Sequence, residues 1–167
     1  EKALKYDNGM YTVVNAVAYV EETYYSGKLY TKNVGYASLQ DAIDSYNGGN
    51  NRIYNKITPK EITIVLLKNI TIDADDTITI PVGKSIILDL NGKTITGITD
   101  DADKNNDGKL TSADNEMMFD VRGTMTVRNG TITLKHTSDN LAWNGCTEIF
   151  YVAFNGTLNV ENAKLEN

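Results

Sequence analysis

The chain is nearly without cysteine, proline, tryptophan and histidine, holding one Cys, two Pro, one Trp and one His in 167 residues. The lone Cys146 excludes an internal disulfide, and fits either a reducing compartment or a secreted protein that does without bridges. No apolar run approaches the roughly 20 residues of a membrane span, and no signal peptide is visible at Glu1. No basic stripe exists to neutralise phosphates, which excludes nucleic acid as the expected partner. The net charge is −6, but residues 100–116 set six acids against Lys104 and Lys109, a balance of −4. The acidity is therefore local, not a property of the whole surface. The chain starts abruptly and its ending "NVENAKLEN" stops in mid-pattern, so it reads as a processed product or an excised piece of something longer.

What is present is strand chemistry. Thr, Asn and Tyr are plentiful and 41% of residues are hydrophobic, enough for one cored domain, either alone or with an attached subdomain. From residue 61 one pattern recurs: "ITIVLLKNITI" (62–72), "KSIILDLNGKTITG" (84–97), "GTMTVRNGTITL" (123–134) and "GTLNVENAKL" (156–165). Each is an alternating strand, an asparagine, then a second short strand. The asparagines Asn69, Asn91, Asn129 and Asn162 are spaced by 22, 38 and 33 residues. Units too small to bury their own apolar face must stack. Asparagine suits a tight left-handed corner, and amides one layer apart can hydrogen-bond into a ladder. Gly83, Gly123 and Gly156 recur ahead of the strands as turn residues.

These features predict an all-β fold, a right-handed parallel β-helix of about four rungs wound as a single-stranded solenoid. An immunoglobulin-like sandwich would leave asparagine in one phase unexplained. The inward set would be Ile62, Ile64, Leu66, Ile86, Leu88, Ile95, Met125, Val127, Ile132, Leu158, Val160 and Leu165. Residues 1–35 read as an N-terminal region of strands with a hairpin turning at Ser26–Gly27. Residues 36–167 hold a capping helix and the rungs. The helix, in "YASLQDAIDSYNGG" (36–49), has Ser38 as N-cap, Leu39, Ala42, Ile43 and Tyr46 on one face, and Gly48–Gly49 as its stop. Nine of the ten tyrosines fall in residues 6–54, either facing a half-buried sheet or offering a stacking surface to sugar rings.

Tyr36, Ser38, Leu39, Ala42 and Ile43, followed by Asp89, Leu90, Asn91 and Gly92, resemble the start of the pectate-lyase-like β-helix modules of large bacterial surface and secreted proteins. The likeness spans residues 15–165. It implies fold and a secreted or cell-surface setting more than it implies an activity.

"DADKNNDGKLTSAD" (101–114) stands apart. With Asp103 at position 1 of a calcium loop, Asn105 and Asp107 fall at positions 3 and 5, Gly108 at 6, Lys109 at 7, Thr111 at 9 and Asp114 at 12. Calcium takes about six to eight oxygens, which alternate side chains, a carbonyl at 7 and a closing carboxylate supply around a glycine reversal. Leu110 at position 8 would anchor the loop inward. Asp at position 12 resembles dockerin loops, but one loop flanked by strands, where dockerins carry two, does not carry over cohesin binding. Calcium is the expected cofactor, bound with the weak affinity of extracellular modules.

Three connections, "DADD" (73–76), the calcium loop and "HTSDNLAWNGCT" (136–147), interrupt the pattern at one phase and should project from one side. The last carries Trp143 with Asp139, Asn140 and Asn144, a set suited to a sugar ring or, for the indole, to a lid over the core. The expected function is a non-catalytic, calcium-stabilised adhesion or glycan-binding scaffold. A polysaccharide or a surface glycan would be its partner, no membrane span is expected, and end-to-end self-association is open to it. The alternative is the N-terminal part of a polysaccharide lyase or glycoside hydrolase, with Asp73, Asp75 and Asp76 as carboxylates and Arg122 or Arg128 as base. The sequence pattern identifies no serine or cysteine nucleophile to go with the lone His136.

Overall fold

A computed structural model describes residues 1–7, 10–45, 55–57, 60–73, 76–99, 116–137 and 147–166. In chain order the elements are β1 (Lys2–Asp7), β2 (Met10–Asn15), β3 (Ala18–Tyr25), β4 (Leu29–Tyr36), α1 (Leu39–Asp44), β5 (Asn55–Ile57) and β6 (Glu61–Leu66). There follow β7 (Ile70–Asp73), β8 (Ile78–Ile80), β9 (Ser85–Asp89), β10 (Thr94–Thr99), β11 (Glu116–Val121), β12 (Thr124–His136), β13 (Thr147–Val152) and β14 (Thr157–Glu166).

The β character holds, but the predicted four-rung parallel β-helix does not. The strands form three sheets of unequal size: a nine-stranded mixed sheet, a three-stranded parallel sheet β13-β11-β8, and a two-stranded antiparallel ribbon β1-β2. The large sheet runs β4-β3-β6-β9-β12-β10-β7, with β14 added on β12 and β5 on β3. Its antiparallel part comes from the N-terminal strands, since β3 pairs antiparallel with both β4 and β6. A period-two alternation says which face of a strand is buried; it does not say which strand lies alongside or in which direction. That is where the expectation failed.

Like residues nevertheless stack on like within the parallel part. Ile62, Ile86 and Met125 follow one another in register across β6, β9 and β12, as do Ile64, Leu88 and Val127. All six are buried, and with Leu66, Ile95 and Ile132 they form the centre of the core. The last three residues of the expected inward set fare differently. Leu158 is half-buried, and Val160 and Leu165 are 43% and 41% exposed, although each is in register with a buried residue of β12.

Asparagine makes the corners. Asn91, Asn129 and Asn162 take φ of 50°, 60° and 49°, the left-handed conformation an asparagine tolerates best among residues with a Cβ. Asn69 has another use: its side-chain oxygen accepts from the Thr94 amide at 2.9 Å. The expected amide ladder exists between Asn162 Nδ2 and Asn129 Oδ1, 3.3 Å apart. One layer back it passes to a carboxylate, because Asn129 Nδ2 donates to Asp89, whose Oδ2 also accepts from Arg128 Nε at 2.9 Å.

The helix and hairpin form where the sequence places them. Ser38 caps α1, its hydroxyl accepting from the Asp41 amide at 3.0 Å, while Leu39, Ala42 and Ile43 are buried against the core. Tyr46 and Gly48–Gly49 lie outside the described residues. β3 and β4 turn through Gly27 at φ 73°. Behind that hairpin Tyr24 and Tyr36 both donate to the buried carboxylate of Glu22, and the Tyr24 ring stacks on Tyr30 at 5.6 Å with Lys32 Nζ 4.8 Å from its centroid. This tyrosine cluster is structural.

Candidate functional site

The parallel register brings the ends of three strands to one rim. β7, β10 and β12 lie side by side, with Asp73 opposite Ile98, Ile98 opposite Lys135 and Thr99 opposite His136. The chain leaves the large sheet from these three adjacent ends and returns at the starts of β8, β11 and β13. Those starts are also neighbours: Phe119 lies opposite Ile78, and Glu116 opposite Thr147. The spans between departure and return are residues 74–77, 100–115 and 137–146. The three stretches singled out in the sequence therefore begin and end on adjoining strands.

Asp103, Asn105, Asp107, Lys109, Thr111 and Asp114, the expected calcium ligands, lie outside the described residues, as do Asp139, Asn140, Trp143 and Asn144. Among the described residues no three His, Cys, Asp or Glu side chains converge as metal ligands do. What the structure defines is the frame that holds the two stretches.

That frame is closed by side chains the sequence reading did not single out. Thr99, the last residue of β10, donates its hydroxyl to Glu116, the first residue of β11; they are 1% and 3% exposed. The ends of the acidic connection are thus joined at its base, as in compact loops whose ends lie close together. Thr137 extends the join, its amide and its hydroxyl both donating to the Thr99 carbonyl at 2.9 Å. Across the rim the Thr77 hydroxyl donates to the Met117 carbonyl at 3.0 Å. Nothing in the sequence marked Thr99 or Glu116, because the partnership depends on two strand ends meeting across a long gap.

Beside this rim lies an open cleft of about 690 Å³. Leu39, Ile70 and Ile72 line it together with Ser38, Asp73 and Asp76. The Asp76 amide donates to the Asp73 carbonyl at 2.9 Å, turning the chain so that both acids border the same opening.

The groups proposed for the enzymatic alternative are not brought together. Arg128 sits on the far half of β12 from Lys135 and is held by Asp89; Arg122 follows the opposite end of β11 and is paired with Asp120 at 2.6 Å. Neither guanidinium is placed beside Asp73 or Asp76. Asp75 lies outside the described residues. The described residues contain no helix long and apolar enough to cross a membrane.

Comparison with known proteins adds nothing further to the site: no family model matches the chain, and no curated protein or solved structure matches it either.

Proposed function

We propose that the chain is a non-catalytic display scaffold working outside the cell, which binds calcium through residues 103–114 and meets a glycan at the rim formed by its three connections. The observation that carries this reading is the adjacency of the strand ends. Departures at Asp73, Thr99 and His136, and returns at Ile78, Glu116 and Thr147, all lie on neighbouring strands. A ligand at one pair of these strand ends would have the neighbouring strand ends beside it.

Calcium has a clear task in such an arrangement. Asp103, Asp107 and Asp114 are acids within one short stretch, and a divalent cation relieves their repulsion while fixing the stretch between Thr99 and Glu116. Trp143 supplies the flat apolar surface that sugar rings stack on, and Asp139, Asn140 and Asn144 supply hydroxyl partners. The rim's cleft adds Asp73 and Asp76 at its edge. Scaffolding needs no activated nucleophile.

The test is a glycan array probed with the 167-residue chain in calcium and again in chelator. Binding is expected in calcium only, and is expected to disappear in Trp143→Ala. A glycan bound equally by wild type and Trp143→Ala, with and without chelator, would show that the rim is not the binding site.

A further inference from the structure

We infer that Asn91–Gly92 and Asn129–Gly130 are covalent modification sites gated by the fold. They deamidate only when their corners open, and a corner that has deamidated does not close again as before. Asparagine followed by glycine is the pair in which deamidation is easiest, because a residue without a Cβ leaves its backbone nitrogen accessible. That nitrogen attacks the asparagine Cγ, the Cγ–Nδ2 bond breaks, and ammonia leaves carrying the glycine's amide proton. Water then opens the resulting cyclic imide, giving either aspartate or isoaspartate, in which the main chain runs through Cγ.

The corners cannot dispense with either residue. Asn91 and Asn129 hold φ of 50° and 60°, and Gly92 holds 72°. At Gly130 a Cβ would run into the Leu90 Cβ and the Lys93 carbonyl oxygen, so only glycine fits. The labile pair is thus built in, and its protection has to come from hydrogen bonds. At the first corner the Gly92 N–H donates to the Asn129 carbonyl at 2.6 Å, while Asn91 Nδ2 donates to the Leu66 carbonyl at 3.2 Å. The attacking nitrogen is held by one neighbouring layer and the leaving amide by the other. At the second corner the side chain is held at both ends. Asn129 Nδ2 donates to the two Asp89 oxygens at 3.3 and 3.2 Å, and its Oδ1 accepts from Asn162 Nδ2 at 3.3 Å. Expelling Nδ2 must break these bonds, which stay made while the layers are stacked.

The product is what the corners reject. An amide donates from Nδ2, whereas a carboxylate only accepts. Aspartate at position 91 would turn an oxygen toward the Leu66 carbonyl, and aspartate at position 129 would set a second carboxylate against that of Asp89. Asn69 works the other way round. Its oxygen accepts from the Thr94 amide, a role that aspartate fills as well, and Ile70 follows it instead of glycine. The easily deamidated pairs therefore stand where deamidation does most harm and where the fold blocks it. A chain left unfolded is chemically marked, and on refolding does not regain its full stability.

Peptide mapping by mass spectrometry tests the gate. The chain is held in one mildly alkaline buffer, with and without unfolding guanidinium chloride. The peptides carrying Asn91 and Asn129 are expected to gain one mass unit, and isoaspartate, in guanidinium; in the folded chain that gain should be almost wholly lost. Equal conversion in both arms, or none in guanidinium, would overturn the inference. The rejected product is tested without any deamidation. Asn129→Asp should shift the urea midpoint downward at neutral pH, and Asn69→Asp should leave it in place. A midpoint for Asn129→Asp that matches wild type would show that the corner accepts its product, and the inference would fall.

Discussion

The hydroxyl of Thr99 donates to the carboxylate of Glu116 across the base of residues 100–115, and both residues are almost wholly buried. The bond fixes how far apart the two ends of the acidic connection can be. Glu116→Ala should leave the Thr99 hydroxyl without this acceptor and open a small void, costing about 1–3 kcal/mol. Glu116→Gln, which retains an acceptor of similar shape, should cost less. Urea unfolding with an unchanged slope checks both.

Calcium should stabilise the folded chain by mass action, since an unfolded chain does not hold the ligands together. At free calcium of about 10–100 times the dissociation constant the gain is about 1.4–2.7 kcal/mol. A melt in calcium and in chelator reads it directly. Asp103→Ala and Asp107→Ala should each abolish the difference while leaving the chelated melt unchanged. A calcium response that persists in both variants would place the ion elsewhere.

The β character and several elements could be read from the residues but the architecture could not, and the difference has a physical reason. Alternation located β6, β7, β9, β10, β12 and β14, Ser38 located the helix start, and the recurring asparagines located three left-handed corners, whereas β8, β11 and β13, the whole of the small sheet, were not marked. These are local signals, carried by side chains a few residues apart. Sheet membership is not local. That β3 would join β6 antiparallel, giving a mixed sheet instead of a parallel β-helix, depends on edges far apart in sequence. The rim shows the same division: the strand ends that frame it follow from register, but Thr99 and Glu116 became visible only when those ends met.

Alkaline pH should weaken the N-terminal hairpin. Burial pushes the hydroxyls of Tyr24 and Tyr36 well above the ordinary tyrosine range, and donation to the Glu22 carboxylate pushes them further; a hydrogen bond with Ser45 opposes this in part at Tyr36. Because the folded state holds these protons more tightly than the unfolded chain, their contribution is complete below about pH 10 and is lost as the pH climbs beyond it. Urea midpoints should therefore fall from about pH 10 upward, and tyrosinate absorbance should show these two hydroxyls ionising together with unfolding. Tyr36→Phe should lower stability at neutral pH, since it removes one of two donors from a buried carboxylate.

Acid should act at the other side of the sheet. Burial alone would raise the Asp89 carboxyl, but the Asn91 amide, the Asn129 side chain and the Arg128 guanidinium together outweigh it and hold the group below its ordinary range. The folded state therefore favours the carboxylate. That contribution is present above the ordinary carboxylate range and is lost as the pH falls through the lower folded value. Asp89→Asn should flatten the acid limb of the stability profile and remove the ion pair with Arg128.

Asn129 lies where corner geometry and the amide ladder meet, which lets the two be separated by substitution. Its φ of 60° costs an ordinary side chain about 1–2 kcal/mol, and its amide both donates to Asp89 and accepts from Asn162. Asn129→Gly relieves the conformational cost and loses only the amide's hydrogen bonds; Asn129→Ala loses the bonds and keeps the strain. Alanine should therefore be the worse of the two by about 1 kcal/mol, the reverse of their order at an ordinary strand position, where glycine is the weaker residue. If equilibrium unfolding ranks glycine below alanine here, the corner does not depend on left-handed backbone, and the recurrence of asparagine at Asn91 and Asn162 would need the ladder alone to explain it.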